Sequence, residues 1–140
     1  MTIRAFAEGD TDEVVALWHA CGLTRPWNDP HQDVTRKLGV QRDLFLVDVD
    51  GQGAITGSVM AGYDGHRGWI NYLAVAPSAR RAGRGRALMA EAERALIALG
   101  CPKVNLQVRT GNAEAVGFYR ALGYDVDDVV SLGRRLIPDA

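Results

Sequence analysis

A short turn containing two glycines constrains this chain more than any other stretch of its sequence. The turn, residues 80–86, reads Arg-Arg-Ala-Gly-Arg-Gly-Arg and lies between a predicted strand at residues 69–76 and a predicted helix at residues 86–99. Glycines allow a sharp turn that brings the backbone close to a ligand, and the first turn of a helix presents unpaired N–H groups with a partial positive charge. Because arginines surround these groups, we expect this turn to bind the phosphates of a long cofactor.

The length and charge of the chain limit what this site can belong to. At 140 residues the chain has room for one domain, residues 1–140, and not for a separate cofactor domain. The net charge is -1, which gives no overall attraction to nucleic acid. The two cysteines lack the spacing of a metal site, so we expect no metal and a reducing, cytoplasmic location. No stretch approaches the ~20 apolar residues of a membrane span, and no apolar signal segment opens the chain.

The hydrophobic pattern predicts a mixed α+β order, β-α-α-β-β-β-α-β-α-β-β. Strands are predicted at residues 2–6, 44–49, 54–63, 69–76, 104–108, 124–130 and 131–136. The first helix is expected to begin with a capping box formed by Asp10 and Glu13. Asp29 and Pro30 mark the start of the second helix. The last two helices are predicted at residues 86–99 and 112–122.

Two common phosphate-binding motifs do not fit the turn. A nucleotide triphosphate loop requires Lys and then Ser or Thr after the second glycine, whereas Gly85 is followed by Arg86 and Ala87. A dinucleotide fingerprint requires a third small residue where Leu88 stands, and an acidic residue about twenty positions further on, where none is found. The sequence therefore excludes both.

The remaining pattern resembles the GNAT superfamily of acetyl-CoA-dependent N-acetyltransferases. It reads Arg80-x-x-Gly83-x-Gly85 after a strand and Pro77. The resemblance continues in Asn112, in the segment 118–124 (Phe-Tyr-Arg-Ala-Leu-Gly-Tyr) and in the order of the elements. Residues 25–30, 62–68 and 131–133 are similar to the bacterial YpeA group, which is related to RimI-type enzymes. The resemblance implies a largely antiparallel mixed sheet of six to seven strands, flanked by about four helices.

The same resemblance implies how acetyl-CoA is bound. The backbone of the strand before the turn would pair with the pantetheine arm, the amides of the turn would hold the diphosphate, and Asn112 would hydrogen-bond the arm. Tyr119 would act as the general acid that protonates the departing thiolate, unless it simply packs in the core beside Phe118. The expected cofactor-binding residues are Leu73, Ala74, Val75, Arg80, Arg81, Ala82, Gly83, Arg84, Gly85, Arg86, Asn112 and Tyr119.

No side chain of the sequence stands out as the base that removes a proton from the acceptor amine. Gln107 occupies the place of a glutamate in RimI-type enzymes, and a neutral amide cannot accept that proton. Proton removal would then use water or a group in the turn at residues 64–66, although a histidine there is often only a turn residue. Because successive residues of a strand point to opposite faces, Tyr72 is predicted to point away from the face that carries Asn71. The residues expected near the acceptor are Trp27, Asn28, Asp64, His66, Asn71 and Gln107.

Three functions stay open at this point. The first is an N-acetyltransferase that acts on an amine of a small molecule or a protein. The second is a regulatory or catalytically degenerate module that binds CoA without turnover. The third, a nucleic-acid binder that uses the arginines of the turn, is disfavoured by the near-neutral charge, so we expect no nucleic-acid partner. The oligomeric state is open, with a homodimer as one option because dimers are frequent among the relatives.

Overall fold

One sheet of five strands forms the centre of the fold. The computed structural model describes residues 1–139. Its strands are β1 (Thr2–Ala5), β2 (Phe45–Val49), β3 (Ile55–Tyr63), β4 (Gly68–Val75) and β5 (Val104–Leu106), and its α-helices are α1 (Thr11–Ala20), α2 (Pro30–Leu38), α3 (Arg84–Ala98) and α4 (Ala113–Ala121). Strands β1 to β4 pair antiparallel in succession, and β5 pairs parallel to β4. The predicted mixed α+β class is confirmed.

Apolar side chains cover both faces of the sheet. In β2, Phe45 and Val47 belong to the core that packs under α1 and α2, whereas Leu46 belongs to the core that packs under α3. Successive residues of a strand point to opposite faces, so a strand buried on both sides is almost continuously apolar. This explains the composition of β2.

Side chains cap two helices where the sequence indicates a start. The Asp29 carboxylate accepts a hydrogen bond from the His31 N–H at 2.9 Å, at the start of α2. The Asn112 side-chain oxygen accepts one from the Ala115 N–H at 3.1 Å, at the start of α4. Both starts are therefore as predicted. Within residues 1–139, no helix is long and apolar enough to cross a membrane.

The predicted capping box at the start of α1 was wrong. Asp10 makes no side-chain hydrogen bond within the helix and instead binds Arg4, with a shortest N–O distance of 2.7 Å. The Glu13 carboxylate accepts a hydrogen bond from the N–H of Ile55 at 2.7 Å. Both carboxylates are thus engaged by other parts of the chain, and the sequence of the helix alone could not indicate this.

Strands β4 and β5 run together over only part of their length. Residues Gly68 to Ile70 pair with Val104 to Leu106, and β4 then continues to Val75 without β5 beside it. The register of the β3 and β4 pair also shifts between Ser58 and Met60, which marks a β-bulge. The two strands therefore separate at the carboxyl end of β5 and leave an opening in the sheet.

The two strands predicted after α4 were wrong. Residues 125–138 contain no strand and are exposed, so the described sheet has five strands rather than six or seven. The alternating apolar side chains of this tail, such as Val130 and Leu132, lie 86% and 92% exposed because no apolar surface covers them. The tail is attached through side chains instead: Asp127 accepts hydrogen bonds from Lys103 at 2.9 Å and from Asn105 at 2.9 Å.

Candidate functional site

A cleft of about 2410 Å³ opens where β4 and β5 separate. Its walls come from residues 69–73 of β4, from β5, from α2 and α4, from the loop between α1 and α2, and from the tail. Four predicted acceptor residues line it: Trp27, Asn28, Asn71 and Gln107. Predicted cofactor residues Leu73, Asn112 and Tyr119 line it as well. The fold thus brings together side chains that are far apart in the sequence.

The glycine turn has the backbone geometry of an anion site. Arg81 and Gly83 both have positive φ, at 67° and 74°. No protein acceptor lies within hydrogen-bonding distance of the N–H groups of residues 81–86 in the described part of the chain. These donors, next to the amino end of α3, fit a diphosphate in number and in charge.

Gly85 is required by close packing rather than by its backbone angles. A Cβ atom at this position would lie 3.1 Å from Cζ of Phe118 and 3.7 Å from Cγ2 of Val75. The start of α3 therefore touches both β4 and α4. Since Phe118 precedes Tyr119 in α4, this contact fixes the turn relative to the predicted general acid.

The four arginines of the turn do not all face the same way. The Arg84 guanidinium donates hydrogen bonds to the Asp48 carboxylate in β2, at 2.7 and 2.8 Å. The side chain of Arg80 donates to the backbone oxygen of Val75 at 3.1 Å. Arg81 and Arg86 are exposed. Of the four, only Arg81 and Arg86 make no side-chain hydrogen bond to residues 1–139, whereas Arg84 is held by Asp48 and Arg80 uses its Nε–H on the backbone.

Sequence reasoning missed Asp48 as the partner of Arg84. Asp48 lies fully buried in an otherwise apolar strand. A charge in such a place requires a partner, because burial of an unpaired carboxylate is costly. The position of Asp48 within an apolar strand was thus the sequence signal that it has a charged partner.

Tyr119 lies partly buried in the wall of the cleft. Its ring makes edge contacts with Phe118 and Tyr124, at centroid distances of 5.1 and 5.8 Å. Its hydroxyl makes no hydrogen bond to residues 1–139, and burial raises the pKa of Tyr119 to about 12. The phenol therefore keeps its proton at neutral pH and faces the cleft as a donor.

The remaining predicted acceptor residues form two groups: Gln107 and Trp27 line the cleft, whereas Asp64 and His66 do not. The amide of Gln107 donates to the hydroxyl of Ser131 in the tail. The side chain of Trp27 is 58% exposed, with the Arg109 guanidinium 5.9 Å from its ring, so Trp27 does not close the core.

Asp64 and His66 are not brought to the cleft. They precede β4 and are not among the lining residues, although the Asp64 carboxylate accepts a hydrogen bond at 3.3 Å from the indole N–H of Trp69, which does line the cleft. The Asp64 carboxylate accepts hydrogen bonds from the N–H groups of His66 and Arg67, both at 2.8 Å, and so closes the turn. The structure thus gives Asp64 a local structural role and leaves His66 exposed in that turn.

Sequence reasoning also missed a polar cluster on the acceptor side of the cleft. Tyr72 packs against Trp18 on the side of α1 and α2, and its hydroxyl donates to Asp33 of α2 at 2.6 Å. Ile70, two residues earlier, lies on the other face under α3, so the β-bulge interrupts the alternation from which the side of Tyr72 was predicted. The amide of Asn28 donates to the same carboxylate at 2.5 Å. All three residues line the cleft. No spacing in the sequence pairs residues from a loop, a helix and a strand.

No group of three or more His, Cys, Asp or Glu side chains within residues 1–139 is arranged to hold a metal ion. The cysteines Cys21 and Cys101 are free thiols. The side chains that line the described cleft include the phenols of Tyr72 and Tyr119, several carboxamides, and the carboxylates of Asp33, Glu93, Asp125 and Asp127.

Known proteins with the same sequence pattern and fold agree on one family. The family model described as "Acetyltransferase (GNAT) family" matches residues 12–124. Over 139 residues the chain is 50% identical to an acetyltransferase of Yersinia enterocolitica, across 99% of this chain and 98% of that protein. It is also 50% identical to an acetyltransferase of Pectobacterium atrosepticum, with the same coverage. Among solved structures, Naa20 of Chaetomium thermophilum in complex with a bisubstrate analogue has a TM-score of 0.74 and 29% identity, over 90% of this chain and 72% of that one. The chain therefore belongs to the acetyltransferase (GNAT) family and is an N-acetyltransferase.

Proposed function

We propose that this enzyme transfers the acetyl group of acetyl-CoA to a primary amine of a small molecule or a protein, with Tyr119 as the general acid. The proposal depends above all on one observation: the N–H groups of residues 81–86 have no protein acceptor, and the turn that carries them contacts α4 beside Tyr119. A ligand with a diphosphate at one end and a thioester at the other would meet both features.

Each part of acetyl-CoA has a matching part of the chain. The diphosphate would accept hydrogen bonds from the turn, and the exposed side chains of Arg81 and Arg86 would lie near the outer phosphates. The pantetheine arm would pair with the edge of β4 at Leu73–Val75, where β5 is absent. Asn112 would contribute its side-chain nitrogen, since its side-chain oxygen already caps α4.

Tyr119 would act on the sulfur atom. A phenol with a pKa of about 12 is a weaker acid than a free phenol. Complete transfer of its proton to a thiolate of pKa ~8.5 is uphill by about 3.5 pKa units, or roughly 5 kcal/mol. We therefore place its main effect in a hydrogen bond that stabilises negative charge as the carbon–sulfur bond breaks, followed by proton transfer to the thiolate.

A second candidate is a CoA-binding module that has lost catalysis. The observation in its favour is Gln107, whose amide donates to Ser131 and which offers no carboxylate at this point of the cleft. Both candidates predict binding of acetyl-CoA. Only the first predicts transfer to an amine.

The test combines calorimetry with a turnover screen. Calorimetric titration of the folded protein with acetyl-CoA should show saturable binding at micromolar concentrations. Release of free CoA should then be followed with polyamines, amino acids, aminoglycosides, and peptides with a free N-terminus or a free lysine. Turnover with at least one amine supports the enzyme, and binding without turnover supports the degenerate module. Absence of binding would overturn both candidates. Membership of the YpeA group, a cytoplasmic location and a homodimer stay predictions beside this proposal.

A further inference from the structure

Tyr72 holds a backbone conformation that its side chain does not favour. It lies at the β-bulge of β4 with φ at 52°, and no glycine or asparagine occupies the position. Left-handed backbone at a bulky residue costs roughly 1–3 kcal/mol and persists only where the surroundings enforce it. A strained residue in the wall of the cleft is therefore a candidate for function.

Buried contacts from α1 and β3 enforce this conformation. The Trp18 ring stacks on the Tyr72 ring at a centroid distance of 3.8 Å. The Trp18 indole N–H donates to the Ser58 hydroxyl at 2.9 Å, and that hydroxyl donates to the Tyr72 backbone oxygen at 2.8 Å. Both Trp18 and Ser58 are fully buried. Ring and backbone of Tyr72 are thus held independently.

The Tyr72 hydroxyl uses its only proton in a single hydrogen bond. It donates to the Asp33 carboxylate at 2.6 Å, a charge-assisted hydrogen bond. The Asn28 amide donates to Asp33 and also, at 3.3 Å, to the phenol oxygen of Tyr72. A phenol oxygen has two lone pairs, so one is left for a donor that enters the cleft.

Several other charges face this pair. The Arg36 guanidinium of α2 donates to the second oxygen of Asp33 at 3.1 Å and also binds Asp139 of the tail. Arg135 of the tail donates to the side-chain oxygen of Asn28 at 2.8 Å and lies 3.5 Å from Asp139. The loop, α2 and the tail thus hold the cluster from three sides.

We propose, on the basis of the acetyl-transfer function above, that Tyr72 binds the acceptor amine and removes its proton, and that Asp33 positions Tyr72 and receives that proton. As the nitrogen lone pair forms a bond to the acetyl carbon, an N–H proton passes to the Tyr72 oxygen. The hydroxyl proton of Tyr72 passes at the same time to the Asp33 carboxylate. No electron is transferred, and Asp33 later releases the proton to water.

This assignment supplies a proton acceptor although β4 and β5 contain no carboxylate and Gln107 is a neutral amide. A carboxylate is a weaker base than an alkylamine by roughly six pKa units. The pair therefore cannot deprotonate an ammonium ion that arrives in the cleft. It acts on an amine that arrives neutral and becomes acidic only as the C–N bond forms, so the acceptor class is a neutral primary amine.

The decisive experiment observes Tyr72 directly with ethylamine as the probe. The protein, saturated with CoA, carries ¹³Cζ-labelled tyrosine, and the Tyr72 resonance is assigned by its loss in Tyr72→Phe. Ethylamine at alkaline pH should shift this resonance in the wild type and in Asp43→Asn, an exposed control aspartate. The shift should disappear in Asp33→Asn and return in part in Asp33→Glu. An unchanged Tyr72 resonance in the CoA-bound wild type would overturn the inference while leaving acetyl-CoA binding intact.

Kinetics with ethylamine distinguish a role of Asp33 in positioning Tyr72 from an effect on protein stability alone. At saturating acetyl-CoA, Tyr72→Phe and Asp33→Asn should each lower kcat for ethylamine at least tenfold, with KM for acetyl-CoA unchanged. The double variant should be no slower than the slower single variant, because Asp33 acts through Tyr72. Losses that multiply in the double variant would overturn that coupling. Failure of CoA to bind in calorimetry would instead reject the proposed function.

Discussion

The guanidinium of Arg84 and the carboxylate of Asp48 form a bidentate pair, with hydrogen bonds of 2.7 and 2.8 Å. Asp48 has no exposed surface, and the Arg84 side chain is 21% exposed. The pair connects the first residue of α3, directly after the positive-φ Gly83, to the interior strand β2. The glycine turn is therefore held by an ion pair that uses one of its own arginines, and that arginine serves the fold.

Removal of Arg84 should destabilise the protein. Arg84→Ala leaves a buried carboxylate without its partner, which costs about 3–5 kcal/mol in comparable cases. Urea unfolding followed by circular dichroism measures this loss. The exposed Arg86→Ala is the matched control and should change stability by less than about 0.5 kcal/mol. A loss as small for Arg84→Ala as for the control would contradict the structural role of the pair.

Local patterns in the sequence predicted most of the framework but not the tail. Caps at Asp29 and Asn112 predicted two helix starts because a cap depends on neighbours within three residues. The alternating residues of the tail predicted two strands that the structure lacks, because alternation does not reveal whether an apolar surface is there to cover them. Local pattern is thus informative only where the partner is local.

The same limit applies to the site. The turn and Tyr119 lie in contiguous motifs and could be found in the sequence, whereas Asp33 and Tyr72 are 39 positions apart and meet only in the fold. The sequence indicated Asp64 and His66 because they precede β4; neither lines the cleft, and Asp64 reaches it only through its hydrogen bond from Trp69.

A bulky side chain at Gly83 should abolish binding of acetyl-CoA while the protein stays folded. A Cβ atom there would meet no protein atom within 4 Å, so Gly83→Val fills only the space expected for the diphosphate. Gly65→Val is the matched control, because Gly65 also has positive φ and open surroundings but lies between β3 and β4, at the other end of β4 from the glycine turn. Both variants should lose a similar amount of stability, roughly 1–3 kcal/mol, from backbone strain. Calorimetry should detect acetyl-CoA binding only in the control; equal binding in the two would reject the turn as the phosphate site.

Tyr119→Phe should lower turnover at least tenfold with little change in affinity for acetyl-CoA. The substitution keeps the ring and removes only the proton donor. Stopped-assay kinetics with an accepted amine, together with calorimetry, separate the two effects. Unchanged kcat would exclude Tyr119 as the general acid.

The pH dependence of the free energy of unfolding tests whether the Tyr119 hydroxyl is buried. Burial raises its pKa from 10.0 to about 12, so the folded state holds this proton more tightly than the unfolded state. The resulting contribution to the free energy of unfolding is fully present below pH 10 and is lost as the pH rises toward 12. Tyr119→Phe should therefore flatten the loss of unfolding free energy in this window, as measured by urea unfolding at several alkaline pH values. An equally steep loss in the variant would place the hydroxyl in a solvent-like environment.

Ser58→Ala should affect both stability and catalysis, because it releases the bulge that holds Tyr72. The hydroxyl is fully buried, accepts from Trp18 and donates to the Tyr72 backbone oxygen. Its removal leaves two buried polar groups unpaired, at roughly 1–3 kcal/mol. Thr56→Ala on the same strand is the control, because the Thr56 hydroxyl makes only a 3.5 Å contact with the Asp48 backbone oxygen. Urea unfolding should separate the two variants. At temperatures where both remain folded, kcat should fall only in Ser58→Ala, since Tyr72 can then leave its positive-φ conformation; a stability loss without any change in kcat would restrict the bulge to a structural role.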